Sequence, residues 1–475
     1  MITLICWLVS VTALALVALL GPSAAVPAIP GGGGWPPYWM SAAPAAGTVI
    51  AIEIMGLAAG AVALWRLQTA ARQERGPDPR RLQTAGFLAA AGLTLLPPAG
   101  SSDVLNYVAY GQEAVSGVNP YLLGPQSAGV PQNAITAAVG TPWQFTPSVY
   151  GPAFTRISTV IAHLAHGDGH VAVTLTRLVI TAAFVGTGIL LASLCRTDAG
   201  RRRAVVMWGA NPLLLYTLVA GAHVDALIAF AGVCALTLVR RSPLAAGLLA
   251  GVAGAVKLNG LVVLPGLVWA VRDRRRAAAA VAIAACAVVL PWYLATTGVF
   301  GQLHHVSQFT TPASPWRAVR WLMQPLLGVP TARSAVVLGA AAVGLVVIVL
   351  LFRRGLPPPA GETTVDRAAA VTATFAVGWV LTAPYVLPWY DAIAWAPLAL
   401  VGASFLDRVL VLHTTALAFA LLPGEDIPLP TAVHLTSSAF HSLVSPIVLA
   451  VLLLVTVRVV TRRAGETEAL QDWGR

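Results

Sequence analysis

Apolar runs recur from one end of this chain to the other with short arginine clusters between them, and no other feature limits the fold as strongly. A run of roughly 20 apolar residues crosses a bilayer as a helix, because in hydrocarbon each backbone N–H and C=O must find its partner inside the segment. Such runs lie near 1–22, 47–65, 82–98, 170–194, 204–221, 224–239, 243–256, 259–271, 277–295, 331–352, 368–385, 390–404, 408–423 and 431–457. They predict an all-α polytopic membrane protein with about 14 transmembrane helices. Only 10% of the residues are charged and 57% are hydrophobic, which excludes an ordinary soluble domain. The net charge of +11 would suggest nucleic acid in a soluble protein, but arginines confined to connections read as a topology signal instead.

Charge sets the orientation. The connections holding Arg66 to Arg81, Arg196 to Arg203, Arg240–Arg241, Arg272 to Arg276 and Arg353–Arg354 belong on the cytoplasmic side, as do both termini. The loops at 23–46, 99–169, 296–330 and 424–430 then fall on the extracytoplasmic side of the plasma membrane. The run 151–166 (GPAFTRISTVIAHLAH) is shorter than a span and, counted as one, would reverse everything after it. It is placed as an interfacial or re-entrant helix on the outer face. The chain divides into N-terminal membrane helices (1–98), a long outer loop (99–169), a membrane core (170–457) and a polar cytoplasmic tail (458–475) expected to be mobile. The opening residues could pass for a signal peptide, but they lack a basic start and are long enough to span, so a retained first helix is expected. The four cysteines fall in or at the ends of apolar runs, with no disulfide framework and no CxxC metal site.

The polar exception is Ser101 to Pro152, which carries carboxylates, amides, tyrosines and prolines. A membrane protein that keeps one such segment between apolar helices has placed its working surface there. Asp103 to Ser116 reads as a short helix stopped by Gly117 and Asn119-Pro120. Asp103 at its start has two readings: a helix cap, or a carboxylate that deprotonates an acceptor hydroxyl at the membrane face. Glu113 reads as a solvated surface residue.

Other candidates gather on the same side. The hairpins 204–239 and 243–271 have short arms, so their outer turns, GAHVD and VKLNG, should end below the surface. His223 and Asp225 are either functional or bonded to each other. Lys257, the only lysine, is a lone ammonium that either meets a lipid phosphate or snorkels to the surface. Arg317 and Arg320 share one face of an outer helix and would grip a donor phosphate or anionic headgroups. Trp143, Trp389 and Tyr390 fit sugar stacking or an interfacial aromatic belt. His163, His166, Asp168 and His170 are metal ligands by type, but they lie in a glycine-containing turn, and no metal site is expected.

In order, DVLNYVAYGQEAVSGVNPYLLGP, PWQFTPSVYGP, WGANPLLLYTLVAGAHVDAL, GVAGAVKLNGLVVLP and YVLPWYDAIAWAPLAL resemble the successive blocks of the actinobacterial polyprenyl-phosphate-mannose-dependent α-1,6-mannosyltransferases. These are GT-C glycosyltransferases. The resemblance covers about 100–400 and implies a GT-C fold with a long extracytoplasmic first catalytic loop. It also implies a polyprenyl-phosphate-mannose donor and a lipid-linked mannan acceptor, the α-1,6 backbone of lipomannan and lipoarabinomannan. It carries the catalytic aspartate onto Asp103 and the family's YGP, HxD and lysine blocks onto Tyr150 to Pro152, His223 with Asp225, and Lys257. The resulting expectation is Lys257, Arg317 and Arg320 at the donor phosphate, and Tyr107, Tyr150, His223, Asp225, Trp389 and Tyr390 at sugar or acceptor. One departure stands out: Asp391 follows Trp389-Tyr390 where the family continues with apolar residues.

Transfer from such a donor needs a base for the acceptor hydroxyl and positive charge for the departing phosphate. A single displacement inverts the anomeric carbon, so a β-linked donor gives an α-linked product. No DxD pair is present to hold a metal with a nucleotide diphosphate, and no cofactor is expected. Two alternatives remain. One is a GT-C transferase of another polyprenyl-phosphate sugar. The other is a lipid or solute transporter, which would show related halves with broken helices near the midplane.

Overall fold

The computed structural model describes residues 1–32, 34–356, 363–425 and 427–462. Most of the polar tail expected over 458–475 lies outside the described residues, as do Gly33 and Asp426 of two expected connections. The described chain is helical throughout. Helix α1 (Ile2–Leu20) packs along α2 (Ala46–Arg72), and α3 (Pro79–Thr94) returns toward the polar stretch. Pro79 starts α3, and the Asp78 carboxylate in front of it accepts the Arg81 N–H.

The polar stretch folds as α4 (Asp103–Val115), a single turn α5 (Ala134–Ala137) and α6 (Pro152–Ala165). Gly117, at φ +78°, supplies the left-handed stop after α4. A Cβ at Gly111 would lie 2.3 Å from the Ser158 carbonyl oxygen, so α4 and α6 meet backbone to backbone. The 14 residues of α6 are too few to cross a bilayer. Glu113, expected to be solvated, is 1% exposed with neither carboxylate oxygen hydrogen-bonded. It lies on α4, which α6 covers, and burial pushes its carboxyl up to about 8.

Beyond it run α7 (Gly169–Leu194), α8 (Asp198–Ala204), α9 (Pro212–Leu214), α10 (Asp225–Leu238), α11 (Pro243–Val256), α12 (Leu264–Ala270) and α13 (Arg275–Leu294). The segments 205–209 and 215–220 are wound as π-helix around α9. Next come α14 (Val299–Ser307), α15 (Trp316–Leu327), α16 (Val329–Arg354) and α17 (Thr364–Thr382), then α18 (Ala392–Leu398), α19 (Leu406–Ala420), α20 (Thr431–Ala439) and α21 (Ser445–Thr461).

Among the described residues seven helical stretches are long and apolar enough to cross a membrane: Ile2–Leu20, Ala46–Arg72, Gly169–Leu194, Asp198–Ala220, Arg275–Leu294, Val329–Arg354 and Thr431–Thr461. Multiple apolar helices of this kind make a multi-pass membrane protein. The other seven apolar runs of the sequence also form helices, but several are short; α10 and α11 have 14 residues each. They shorten where the polar turns GAHVD, VKLNG and PWYD interrupt them.

Two buried arginine-centred clusters hold the helix ends. Asp407, fully buried, takes Arg203 at 2.7 Å on both carboxylate oxygens and Arg72 at 3.1 Å. This latches the end of α2 and α8 to α19, so two of the arginine clusters read as topology signals are also structural. At the other end of α3, Arg177 of α7 is buried without a carboxylate. Its guanidinium donates to the carbonyls of Leu93 at 2.6 Å and Ala220 at 3.0 Å. It therefore satisfies the last carbonyls of two helical segments, those leading into Asp103 and His223.

Candidate active site

Asp103 is the first residue of α4, yet it does not cap the helix. The capping position is Ser102, which makes no side-chain cap bond, so the capping reading falls. The carboxylate is aimed elsewhere. Oδ1 accepts Asn106 Nδ2 at 3.3 Å, and Oδ2 stands 3.7 Å from His223 Nε2. Burial pushes its carboxyl up to about 6, with Lys257 pulling down and Asp225 pushing up. At 9% exposure the group is covered in this structure.

His223 occupies the turn between the 215–220 segment and α10. Its Nδ1 meets the Thr217 carbonyl oxygen, and its Nε2 lies 3.1 Å from Ser101 Oγ. Burial pushes the imidazole down to about 3, so the ring is neutral. The Trp389 indole stacks on it with centroids 3.4 Å apart and planes 13° from parallel. His223 and Asp225 are therefore not bonded as a pair closing their own turn.

Asp225 belongs to Lys257. The ammonium lies 3.0 Å from both Asp225 carboxylate oxygens and 3.9 Å from the centre of the Tyr390 ring. The expectation of a lone ammonium is corrected: α10 and α11 are packed neighbours, and their polar turns face each other. Snorkelling fails as well, since the side chain is only 12% exposed.

The tyrosines close the cluster. Tyr107 packs edge-on against Tyr150 at 4.8 Å and Phe154 at 5.0 Å. The YGP block has a backbone reason: the Gly151 N–H donates to the Val256 carbonyl at 2.9 Å, and a Cβ at Gly151 would meet the Ala255 oxygen at 2.2 Å. Tyr150 is thereby pinned beside Lys257. Trp389 and Tyr390 are buried at 4% and 9% exposure, so neither belongs to an interfacial belt. Their turn is held from behind by Asp391, which accepts His413 Nδ1 at 2.9 Å and Thr414 Oγ1 at 2.6 Å. The departure at Asp391 thus has a structural partner on α19.

Asp103, Tyr107, Tyr150, His223, Asp225, Lys257, Trp389 and Tyr390 therefore form one cluster. Arg317 and Arg320 are held elsewhere. They sit on α15, which buries none of its residues, with Arg333 of α16 near Arg320. Trp143 is half-buried in the stretch before Tyr150. Asp168 caps α7 through the N–H groups of His170 and Val171, and His170 stacks on Trp39. Ser101, Asn106, Arg177, His413 and Thr414 were not singled out from the sequence. A cavity of about 360 Å³ lies at the Asp407 end, lined by Gln68, Arg72, Arg203 and Asp366 among others, and does not include this cluster.

The helical bundle thus buries a carboxylate, an imidazole and an ammonium together where several of its helices end. Residues 7–273, more than half of the chain, match the MptA/B family, alpha-(1->6)-mannopyranosyltransferase, N-terminal domain. The chain belongs to that family. It is 29% identical over 330 residues to alpha-(1->6)-mannopyranosyltransferase A of Mycobacterium tuberculosis, covering 63% of this chain and 61% of the relative. It is 23% identical over 377 residues to alpha-(1->6)-mannopyranosyltransferase B of Corynebacterium glutamicum, covering 72% and 62%. A probable alpha-(1->6)-mannopyranosyltransferase of Mycolicibacterium smegmatis is 34% identical over 140 residues, covering 29% and 24%. The chain thus spans between 24% and 62% of the length of these relatives. No solved structure matches it.

Proposed function

We propose that this protein is an inverting GT-C mannosyltransferase that moves mannose from polyprenyl-phosphate-mannose to an α-1,6-mannan acceptor, the backbone of lipomannan and lipoarabinomannan. The observation that carries the reading is the Asp103 carboxylate: it is buried, free of any capping bond and gathered with Lys257. Family membership supplies the sugar and linkage. Asp103 takes the proton of the acceptor hydroxyl as that oxygen bonds to the mannosyl carbon. The bond to the donor phosphate breaks, and polyprenyl phosphate leaves with the electron pair. Lys257 faces the leaving phosphate, and Asp225 holds the ammonium in place beforehand. Arg317 and Arg320, on an exposed helix with Trp321 and Leu322, bind the donor's phosphate where the lipid enters. Tyr107, Tyr150, Trp389 and Tyr390 shape the sugar and acceptor subsite.

The reading places the cluster on the extracytoplasmic face of the plasma membrane, in a fold of about 14 spans with both termini in the cytoplasm. The divisions 1–98, 99–169, 170–457 and 458–475 keep the roles given above. The test is transfer by membranes containing the protein, given radiolabelled polyprenyl-phosphate-mannose and an α-1,6-mannoside, with linkage analysis of the product. A new α-1,6-mannosyl residue supports the reading, whereas no transfer, or a different linkage, refutes it.

A further inference from the structure

The Asp103 carboxylate faces a histidine whose tautomer is set by its surroundings. A carbonyl oxygen can only accept, so the Nδ1 of His223 that meets Thr217 carries the ring proton. Nε2 is then a bare lone pair. Two groups stand at it: the Ser101 hydroxyl at 3.1 Å and Asp103 Oδ2 at 3.7 Å. An ionised Asp103 has no proton to offer. Ser101 then donates to Nε2 while its own oxygen accepts the Asp103 backbone N–H at 3.2 Å. A protonated Asp103 is a donor with Nε2 in front of it. The Trp389 ring, stacked on the imidazole, keeps that lone pair from turning away.

We propose that His223 is the proton partner of Asp103: its Nε2 receives the hydrogen bond of the O–H formed when the acceptor gives up its proton, and Ser101 holds that lone pair until then. The proposal rests on the mannosyl-transfer reading. The proton passes from acceptor oxygen to Asp103 as the new glycosidic bond forms and the bond to phosphate breaks. It stays on Asp103 against Nε2 and leaves to solvent with the products. His223 acts through Asp103, so in this proposal it is a positioning residue.

The consequence is a pH signature. A hydrogen bond accepted from the neutral acid favours that form, so Nε2 raises the pH at which Asp103 loses its proton. The other titratable groups facing Asp103 are Lys257, Asp225, Tyr107, Tyr110, Tyr150, Tyr385 and Tyr390. All of them stay in place in two variants. Ser101→Ala frees Nε2 for Asp103 alone and moves the acid limb of kcat/KM upward by about half to one pH unit. His223→Phe keeps a ring beneath Trp389 but has no lone pair, so the limb moves downward and kcat falls. The assay is transfer from polyprenyl-phosphate-mannose across the pH range for wild type and both variants. Solid-state ¹⁵N NMR of the histidine-labelled protein in lipid reads the tautomer directly, with the His223 signal assigned by its loss in His223→Phe. Opposite shifts and an Nδ1–H ring are expected. Limbs that stay at the wild-type position or move together, or a proton on Nε2, overturn the proposal, and the direction of the Ser101→Ala limb decides it even if His223→Phe fails to fold. A wild type that transfers, with unmoved limbs, overturns this proposal alone; a wild type that transfers no mannose overturns the functional reading and this proposal with it.

Discussion

Removing Lys257 perturbs two things at once, and the structure provides a way to separate them. The ammonium lies 3.0 Å from both oxygens of Asp225, whose side chain is 0% exposed. Lys257→Ala therefore leaves a buried carboxylate without its countercharge, a change that typically destabilises by about 3–5 kcal/mol. A loss of activity in that variant would say little about phosphate. Replacing both partners with apolar residues of similar size, Lys257→Met with Asp225→Leu, removes the pair without stranding a charge. Such replacements are often neutral or stabilising. The double variant should recover most of the thermal stability lost in Lys257→Ala, measured by unfolding in lipid nanodiscs. If the ammonium serves the donor phosphate, its use of polyprenyl-phosphate-mannose should stay impaired. The loss of a charged partner at a desolvated site is worth about 2–5 kcal/mol, or on the order of 30-fold and more in donor dependence. A double variant with wild-type stability and a wild-type donor titration would refute the phosphate role and leave Lys257 as a structural ion pair.

Three further outcomes are expected. A topology reporter placed after Arg203 or Arg276 should read as cytoplasmic and one near Asn133 as external; an external signal at Arg203 would mean that 151–166 crosses the membrane. Gly151→Ala places a methyl group 2.2 Å from the Ala255 oxygen, so thermal unfolding should show a loss of about 1–3 kcal/mol together with reduced transfer, and unchanged values would contradict the close approach. Burial raises the Asp103 carboxyl to about 6, and a base works only when ionised, so transfer should fall as pH drops through about 6; a limb at the ordinary aspartate range near 4 would argue against a buried base.

The cluster was legible in the sequence because its members interrupt apolar runs. The segments around Asp103, Tyr150, His223, Lys257 and Trp389 each break a hydrophobic pattern, and polar groups in such places need partners. Which partner each one takes is a tertiary matter. Lys257 and Asp225 are 32 residues apart, so Lys257 looked alone, and His223 looked like the partner of Asp225 because only one residue separates them. His413 sits inside an apolar run and showed its meaning only when α19 placed it against Asp391. Arg177 left no signal beyond its type, since its partners are backbone carbonyls. Helix positions were well marked by hydropathy. Their lengths were not, because proline, glycine and the polar turns end several apolar helices early.

The central claim is that Asp103 is the base, and Asp103→Asn tests it most directly. Asparagine keeps the size and can still accept the Asn106 amide at Oδ1, so the variant should insert and unfold like wild type. It cannot take a proton. With polyprenyl-phosphate-mannose and an α-1,6-mannoside acceptor, the account predicts a turnover lower by on the order of 10²–10⁴-fold in a stable protein. An Asp103→Asn protein that turns over at the wild-type rate would contradict it.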